Sequence, residues 1–224
     1  MKVLAIDTAT ERCSVALRVD GQVLSRSIDT ARGHADNILP LLDELLREAQ
    51  LTLSDLNGIA YGRGPGSFTG VRIAVGVVQG LAFGADLPTV GISNLAAVAQ
   101  QISQPADRVL VCMDARMGEV YWSVFDCDRH SGLVVAAAPE HVAPPDSVQV
   151  AAGRITALAG TGFGAHPQLS TRFGHIPVHP TLLPRAEDIA LLGEPELAAG
   201  RGKPATQAQP VYLRDQVAIA KRPS

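Results

Sequence analysis

The sequence predicts an α/β protein made of two related halves, each opening with a strand hairpin of the same layout. Residues 2–9 and 12–20 have the buried and alternating patterns of two paired strands. Residues 108–114 and 119–126 repeat this layout, and in both copies an aspartate ends the first strand before a short polar connection. The predicted order in the first half is βββαβαβα. Duplicated βββαβα halves are a signature of a whole fold, although the second copy has fewer recognisable elements.

The first half begins with three predicted antiparallel strands and an amphipathic helix. Asp20-Gly21 is a hairpin turn signal, and residues 22–28 form the third strand. Asp36 is the candidate N-cap of the helix, and Pro40 fits only a first helical turn or else kinks the helix. An apolar stripe with the spacing of one helical face predicts this helix over residues 37–48, and its members are Ile38, Leu41, Leu42, Leu45 and Leu46.

A glycine-rich loop joins the strand at residues 56–61 to a nearly all-apolar helix. Between Gly62 and Gly70 it contains four glycines and one proline, and Ser67 or Thr69 can cap the helix that follows. This composition suits either a phosphate cradle or a tight corner in which strand and helix pack closely. The loop lacks the lysine of a P-loop and the third glycine of the dinucleotide fingerprint, which favours the corner.

The helix predicted over residues 71–85 has no face for water, since only Arg72 and Gln79 are clearly polar. Glycine recurs every four residues along it, and each helical glycine costs about 0.8–1 kcal/mol relative to alanine. A smooth stripe lets a second helix approach closely, which predicts a docking surface. The alternative is a helix packed on all sides within its own fold. The stripe consists of Gly76, Gly80 and Gly84.

A hinge at residues 104–107 separates the two halves, after a strand at 88–92 and a helix from residue 93 or 94 to about 103. Within the second half the patterns predict a third strand in 132–142, a short strand at 155–159 before a glycine cluster, and an interrupted helix over 186–199. The expected organisation is an N-terminal domain of residues 1–104, a reduced C-terminal domain of residues 105–214 and a flexible tail of residues 215–224.

Composition limits the function classes. The 224 residues are 46% hydrophobic with a net charge of −3, so the chain has material for a core but no basic stripe for autonomous nucleic-acid binding. The odd number of cysteines and the lack of a CxxC pair indicate buried free thiols in a reducing compartment, namely Cys13, Cys112 and Cys127. No signal peptide and no membrane-length apolar run is recognised, which predicts a cytoplasmic protein.

Motif searches give no catalytic or metal-binding set. His175 and His179 have helical metal spacing, but Pro177 lies between them. His34, in a polar loop before the first helix, has no second ligand at motif spacing. The ends of the duplicated strands are where related nucleotide-binding folds contact a metal or phosphate, so a vestigial cofactor site is a second possibility beside turn-capping roles. Its candidates are Asp7, Thr8, Gly66 and Asp114.

Four blocks spread over the whole chain resemble the TsaB (YeaZ) family of bacterial tRNA threonylcarbamoyladenosine biosynthesis proteins. The glycine-rich block at residues 61–72 is the most specific. The others are Ile6-Asp7-Thr8-Ala9-Thr10, the block Met113-Asp114-Ala115-Arg116-Met117-Gly118-Glu119-Val120-Tyr121, and Pro210-Val211-Tyr212-Leu213-Arg214. The resemblance implies an actin/hexokinase/Hsp70-like fold of two related domains, the second reduced, which agrees with the duplicated hairpins.

The resemblance also implies a role. In the family, threonylcarbamoyl transfer to tRNA adenosine is carried out by a paralogue, TsaD, which binds metal through a His-x-x-x-His pair. Here the corresponding region, residues 33–38, contains only His34. The resemblance therefore implies a non-catalytic scaffold or activator that binds no cofactor alone, with ATP entering through partner subunits.

The implied partners are a TsaD-type paralogue and a TsaE-type ATPase, with tRNA contacted indirectly and homodimers formed when the chain is alone. The alternatives are an ATP-binding enzyme of the same superfamily, a peptidase-like hydrolase, or a stand-alone tRNA binder. Docking is expected through helices 37–48 and 70–84. The expected contact residues are Ile38, Leu41, Leu42, Leu45, Val71, Ala74, Gly76, Val77, Gly80 and Gly84.

Overall fold

Two β-sheets with the same strand order form the framework. The structure, a computed structural model, describes residues 1–150 and 154–214. The first sheet has the order β3-β2-β1-β4-β5, and its strands are β1 (Lys2–Asp7), β2 (Arg12–Val19), β3 (Gln22–Asp29), β4 (Gly58–Gly62) and β5 (Thr89–Ile92). The second sheet has the order β11-β10-β6-β7-β8, with β9 also paired to β7. Its strands are β6 (Arg108–Asp114), β7 (Val120–Cys127), β8 (Val134–Ala136), β9 (His141–Ala143), β10 (Ala157–Ala159) and β11 (Val178–His179).

The matching strand order confirms the predicted duplication. In both sheets the first hairpin is antiparallel and the next strand joins the hairpin's first strand in parallel, as β4 does with β1 and β10 with β6. Asp7 and Asp114, at the ends of β1 and β6, therefore occupy equivalent positions. The third strand predicted within residues 132–142 is divided into the short strands β8 and β9, both of which pair with β7.

Helices lie on both outer faces and between the sheets. α1 and α2 pack on the outer face of the first sheet, and α4 and α5 pack beside the second. α3 and α6 lie between the sheets, in a core that both sheets share. The helices are α1 (His34–Glu48), α2 (Phe68–Ala85), α3 (Asn94–Gln100), α4 (Gly162–Ala165), α5 (Gln168–Thr171) and α6 (Ala186–Ala198).

Each of the two inner helices packs on the sheet formed by the other half of the chain. α6 packs on β1, β2, β4 and β5, although it follows the second sheet in the chain. Gly193 permits this contact, because an added Cβ would lie 2.5 Å from the Cβ of Ala60. α3 instead packs on β6, β7 and β8. Residue 104 lies between the strands of the two sheets, and a domain boundary at that residue stays a prediction. The predicted tail at 215–224 lies outside the described residues.

The start of α1 also differs from the prediction. The helix begins at His34, and its N-cap is Gly33 with φ of 90°, so Asp36 lies within the first turn and is not the cap. Pro40 lies inside the helix and not in its first turn. By contrast, the predicted capping of α2 is confirmed for Ser67, whose side chain accepts a hydrogen bond from the backbone N–H of Gly70.

The glycine-rich loop is a tight corner, as its composition favoured. Three of its glycines face the turn between β1 and β2 at distances that leave no space for a side chain. An added Cβ would lie 2.0 Å from Asp7 Oδ1 at Gly62, 2.5 Å from the Ala9 carbonyl oxygen at Gly66, and 2.0 Å from the Thr8 carbonyl oxygen at Gly70. These glycines are therefore required for strand β4 and helix α2 to pack against β1.

Among the described residues, helix α2 has the length and hydropathy of a membrane-spanning helix, although no apolar run of membrane length was recognised in the sequence. It is 18 residues long and apolar enough to cross a membrane by length and composition alone. The same criterion is met by core helices of globular proteins. A third of α2 is buried, and its buried residues pack on the outer face of the first sheet.

Substitution of two glycines in α2 should change stability in opposite directions. Gly70→Ala should lower the free energy of unfolding by about 3 kcal/mol, because the methyl group overlaps the Thr8 carbonyl and forces the backbone apart. Gly80→Ala meets open space and should raise it by about 0.5–1 kcal/mol through helix propensity. Urea denaturation, at concentrations where the midpoint does not depend on protein concentration, measures both. Equal effects at the two positions would contradict this assignment of the glycines.

Candidate functional site

The outer face of α2 is left uncovered by the described part of the chain. Gly76, Gly80 and Gly84 are exposed, and a Cβ added at any of them would have no heavy atom within 4 Å. Phe83, beside this stripe, is 79% exposed. Within the described residues the helix is therefore not packed on all sides, and Gly76, Gly80 and Gly84 are not needed for internal packing.

Half of the residues expected at a docking interface lie instead in the core. Ile38, Leu42, Leu45, Val71 and Ala74 are at most 5% exposed. All except Val71 pack on the outer face of the first sheet, whereas Val71 lies beside Gly64 of the glycine-rich loop. An apolar stripe on a helix identifies its buried face, but the sheet of the same chain already covers that face. The expected contact role of these five residues stays a prediction, although the fold of this chain already buries them. The surface that remains consists of Leu41, Gly76, Val77, Gly80 and Gly84, with Leu39 and Phe83 added by the structure.

A cleft of about 830 Å³ lies where the equivalent ends of β1 and β6 face each other. One wall is formed by the β1–β2 turn, the glycine-rich loop and the starts of α1 and α2. The other is formed by the end of β6 and the turn that follows it. Thr8, Gly66 and Asp114 line this cleft. A cofactor role for them stays a prediction, and their visible contacts are structural.

Two of those candidates are engaged in contacts that shape the cleft walls. The Thr8 hydroxyl donates to the Gly70 carbonyl at 2.7 Å, which ties β1 to the start of α2. The Asp114 carboxylate accepts from the backbone N–H of Arg116 at 2.8 Å and pairs with its guanidinium at 3.2 Å. Arg116 and Met117 adopt φ of 61° and 56°, so this carboxylate stabilises a turn in the left-handed region.

Asp7 lies beneath the cleft and is fully buried. Its Oδ1 accepts from Asn94 Nδ2 at 2.6 Å, whereas within the described residues Oδ2 has no hydrogen-bond partner. Burial raises the pKa of Asp7 to about 6, and the hydrogen bond from Asn94 opposes this shift. The carboxyl group is therefore held in an environment that favours its protonated form.

Asn94 is the residue that sequence reasoning missed. Its side-chain oxygen accepts from the backbone N–H of Gly64 at 2.8 Å while its amide donates to Asp7, so it joins the glycine-rich loop to β1. Its own backbone N–H donates to the Gly64 carbonyl. A buried asparagine at the first position of a helix, directly after a serine cap, is the only local signal of this role.

The histidines do not form a site in the described chain. His34 is 9% exposed, and its Nε2 lies 2.7 Å from the carbonyl oxygen of Thr10, so it secures the β1–β2 turn and is not in a polar loop. No group of three or more histidine, cysteine, aspartate or glutamate side chains within residues 1–150 and 154–214 could hold a metal ion. All three cysteines are buried and free, as predicted, and burial raises the pKa of Cys13 to about 11.

Three features define the actin/hexokinase/Hsp70-like class of fold. The two sheets have the same strand order, a cleft lies between the equivalent strand ends, and the inner helices lie in a core that both sheets share. Comparison with known proteins agrees. Residues 27–168 match the family model "TsaD: tRNA N6-adenosine threonylcarbamoyltransferase". The structure of YeaZ from Pseudomonas aeruginosa is similar, with a TM-score of 0.86 and 44% sequence identity over 95% of this chain and 99% of that chain.

Curated relatives give a narrower assignment. The chain is 43% identical to tRNA threonylcarbamoyladenosine biosynthesis protein TsaB of Escherichia coli strain K12, over all of this chain and 99% of that protein. It is 35% identical to the protein of the same name from Haemophilus influenzae, over all of this chain and 98% of that protein. The chain belongs to the TsaB (YeaZ) family.

The buried carboxyl group predicts a specific pH dependence of stability. Because the folded-state pKa of Asp7, about 6, exceeds the unfolded value, folding takes up a proton between pH 4 and 6, and stability falls as the pH rises through this window. Relative to Asp7→Asn, which cannot titrate, the wild-type free energy of unfolding should fall by about 2 kcal/mol between pH 4.5 and 7.5. Urea denaturation at both pH values tests this. Parallel pH profiles would show that Asp7 titrates normally in the folded state.

Proposed function

We propose that the chain is a non-catalytic scaffold or activator subunit in the synthesis of threonylcarbamoyladenosine in tRNA. The observation that carries the proposal is the uncovered face of α2, which places exposed glycines and Phe83 together on a helix that is otherwise apolar. Three helical glycines with open space around them cost on the order of 3 kcal/mol of helix stability. That cost is offset if another helix packs closely on them.

The partner we propose for this face is a TsaD-type paralogue. The family model matched by residues 27–168 describes a threonylcarbamoyltransferase, so a catalytic chain of that kind would have helices equivalent to α1 and α2. Two related chains can bury equivalent apolar faces against each other, and a second copy of this chain would occupy the same face when no paralogue is present. The relatives from Escherichia coli and Haemophilus influenzae are named for the same biosynthesis.

In this proposal the chain orders the active site of its partner and performs no transfer itself. ATP enters through a TsaE-type ATPase, and tRNA is contacted mainly by the partner subunits, in agreement with the net charge of −3. The site of action is the cytoplasm.

A charge on the glycine stripe should abolish the complex without unfolding the chain. Gly80→Glu places a carboxylate in the centre of the proposed interface, where pairing desolvates it without a partner charge. We expect loss of co-elution with the TsaD-type paralogue in gel filtration and at least a hundredfold weaker binding in calorimetry, on the order of 3 kcal/mol. Ala198→Glu, at the exposed end of α6, is the matched control and should bind normally.

Activity assays with the same variants distinguish a scaffold function from the alternative enzymatic functions. Threonylcarbamoyl transfer to tRNA should require the chain together with the paralogue and the ATPase, and Gly80→Glu should remove this stimulation. A complex that survives Gly80→Glu would show that another surface docks the partner. ATP turnover by the purified chain alone would favour an enzyme of the same superfamily. Peptide hydrolysis would favour a peptidase, the class to which one solved relative from Pseudomonas aeruginosa has been likened.

A further inference from the structure

The end of the described chain crosses the cleft as an extended strap. We define the C-terminal strap as residues 209–214. It follows a single 3-10 turn, Ala205–Gln207, that packs against α2. From there it passes the glycine-rich loop and reaches the turn after β6, and its last four residues line the cleft. Neither the docking face nor the duplicated fold accounts for this path.

The first wall of the cleft holds the strap through backbone and aromatic contacts. The backbone N–H of Val211 donates to the Arg63 carbonyl at 2.7 Å. A Cβ added at Gly64, which has φ of 102°, would lie 2.8 Å from the Val211 carbonyl oxygen, so the glycine permits the approach. The Tyr212 hydroxyl accepts from Arg72 Nε at 2.7 Å.

Aromatic packing adds to this anchor. The rings of Tyr212 and Phe68 have centroids 5.4 Å apart, and the guanidinium of Arg72 lies 3.4 Å from the centroid of Phe68. Phe68 and Arg72 belong to the first turns of α2, so Tyr212 fixes the strap to the helix whose outer face is uncovered.

The second wall holds the strap through one side chain. Arg214 is 17% exposed and forms an ion pair with Glu119, while its Nη2 lies 3.5 Å from the Arg116 carbonyl oxygen. Its Nη1 lies 3.5 Å from the sulfur of Met117. These partners belong to the turn after β6, in which Arg116, Met117 and Gly118 all have positive φ. Backbone in this region is strained for residues with side chains and persists where surrounding contacts hold it.

We propose that the C-terminal strap is a latch that holds the two walls of the cleft together and controls access to it. Tyr212 fixes the latch to the first wall, and Arg214 is the positioning residue on the second wall, where it also stabilises the left-handed turn. Release of either end frees the strap from one wall and widens the cleft. The latch therefore couples the turn after β6 to the start of α2, although the two belong to different sheets.

Hydrogen exchange followed by mass spectrometry on the full-length chain tests the latch. Arg214→Gln removes the ion pair, and Tyr212→Phe removes the hydroxyl contact while keeping the ring. Because both anchors belong to one device, each variant should raise exchange on the order of fivefold or more in both walls, in peptides covering residues 63–72 and 115–120. Arg201→Gln is the control, since Arg201 also forms an ion pair, with Glu196, away from the cleft. This variant should leave the rate of hydrogen exchange in both peptides unchanged.

Three outcomes would overturn the latch. In the first, Arg214→Gln speeds exchange only around residues 115–120 and Tyr212→Phe only around residues 63–72. The two ends of the strap would then be independent local contacts. No change in either peptide would show that the strap does not restrain the walls. A uniform rise that includes the core strands β1 and β4 would show a general loss of stability.

Discussion

The structure depends on the close approach of the glycine-rich loop to the first strand. At Gly62, Gly66 and Gly70 any side chain would overlap atoms of the β1–β2 turn, so strand β4 and helix α2 can be placed only because these positions lack a Cβ. The Thr8 hydroxyl and the Asn94 amide then connect the two segments by buried hydrogen bonds. Such bonds contribute about 1 kcal/mol each when made and are costly to leave unmade in an apolar interior. The backbone N–H groups of Arg63, Gly64 and Ser67 are all bonded within the chain, to Ile92, Asn94 and Ala9, which fixes the path of the loop.

This corner also explains why α2 has one covered and one bare side. With its start fixed against Thr8, the helix must place Ala74, Val75 and Val78 on the outer face of the first sheet. Positions four residues apart then bring Arg72, Gly76 and Gly80 to the opposite side. The described part of the chain covers only the beginning of that side, where Arg72 meets Tyr212 of the strap. The open face thus follows from how the helix is anchored.

Sequence patterns were sufficient to predict the local secondary structure but not the packing between elements that are distant in the chain. The hairpins were predictable because alternating burial has a period of two, and the buried cysteines because no pairing motif was present. The exchange of α3 and α6 between sheets was not predictable, since neighbours in sequence are the usual neighbours in space and nothing local marks a return to the first sheet. The stripe of α1 identified a buried face correctly but could not distinguish a sheet of the same chain from a partner. Asn94 was missed because its role depends on Gly64 and Asp7, which are distant in sequence.

Arg72 and Gln79 of α2 connect the proposed docking face to the cleft. Gln79 donates to the Ala208 carbonyl at 2.8 Å, and Arg72 donates to Tyr212, so both hold the segment that becomes the strap. Arg72 lies on the same helical row as Gly76 and Gly80, at the end nearest the cleft. A helix packed along that row would meet the guanidinium while it is engaged with Phe68 and Tyr212. In the proposed complex, contact at the docking face would therefore act on the strap's anchor directly, without a rearrangement of the core.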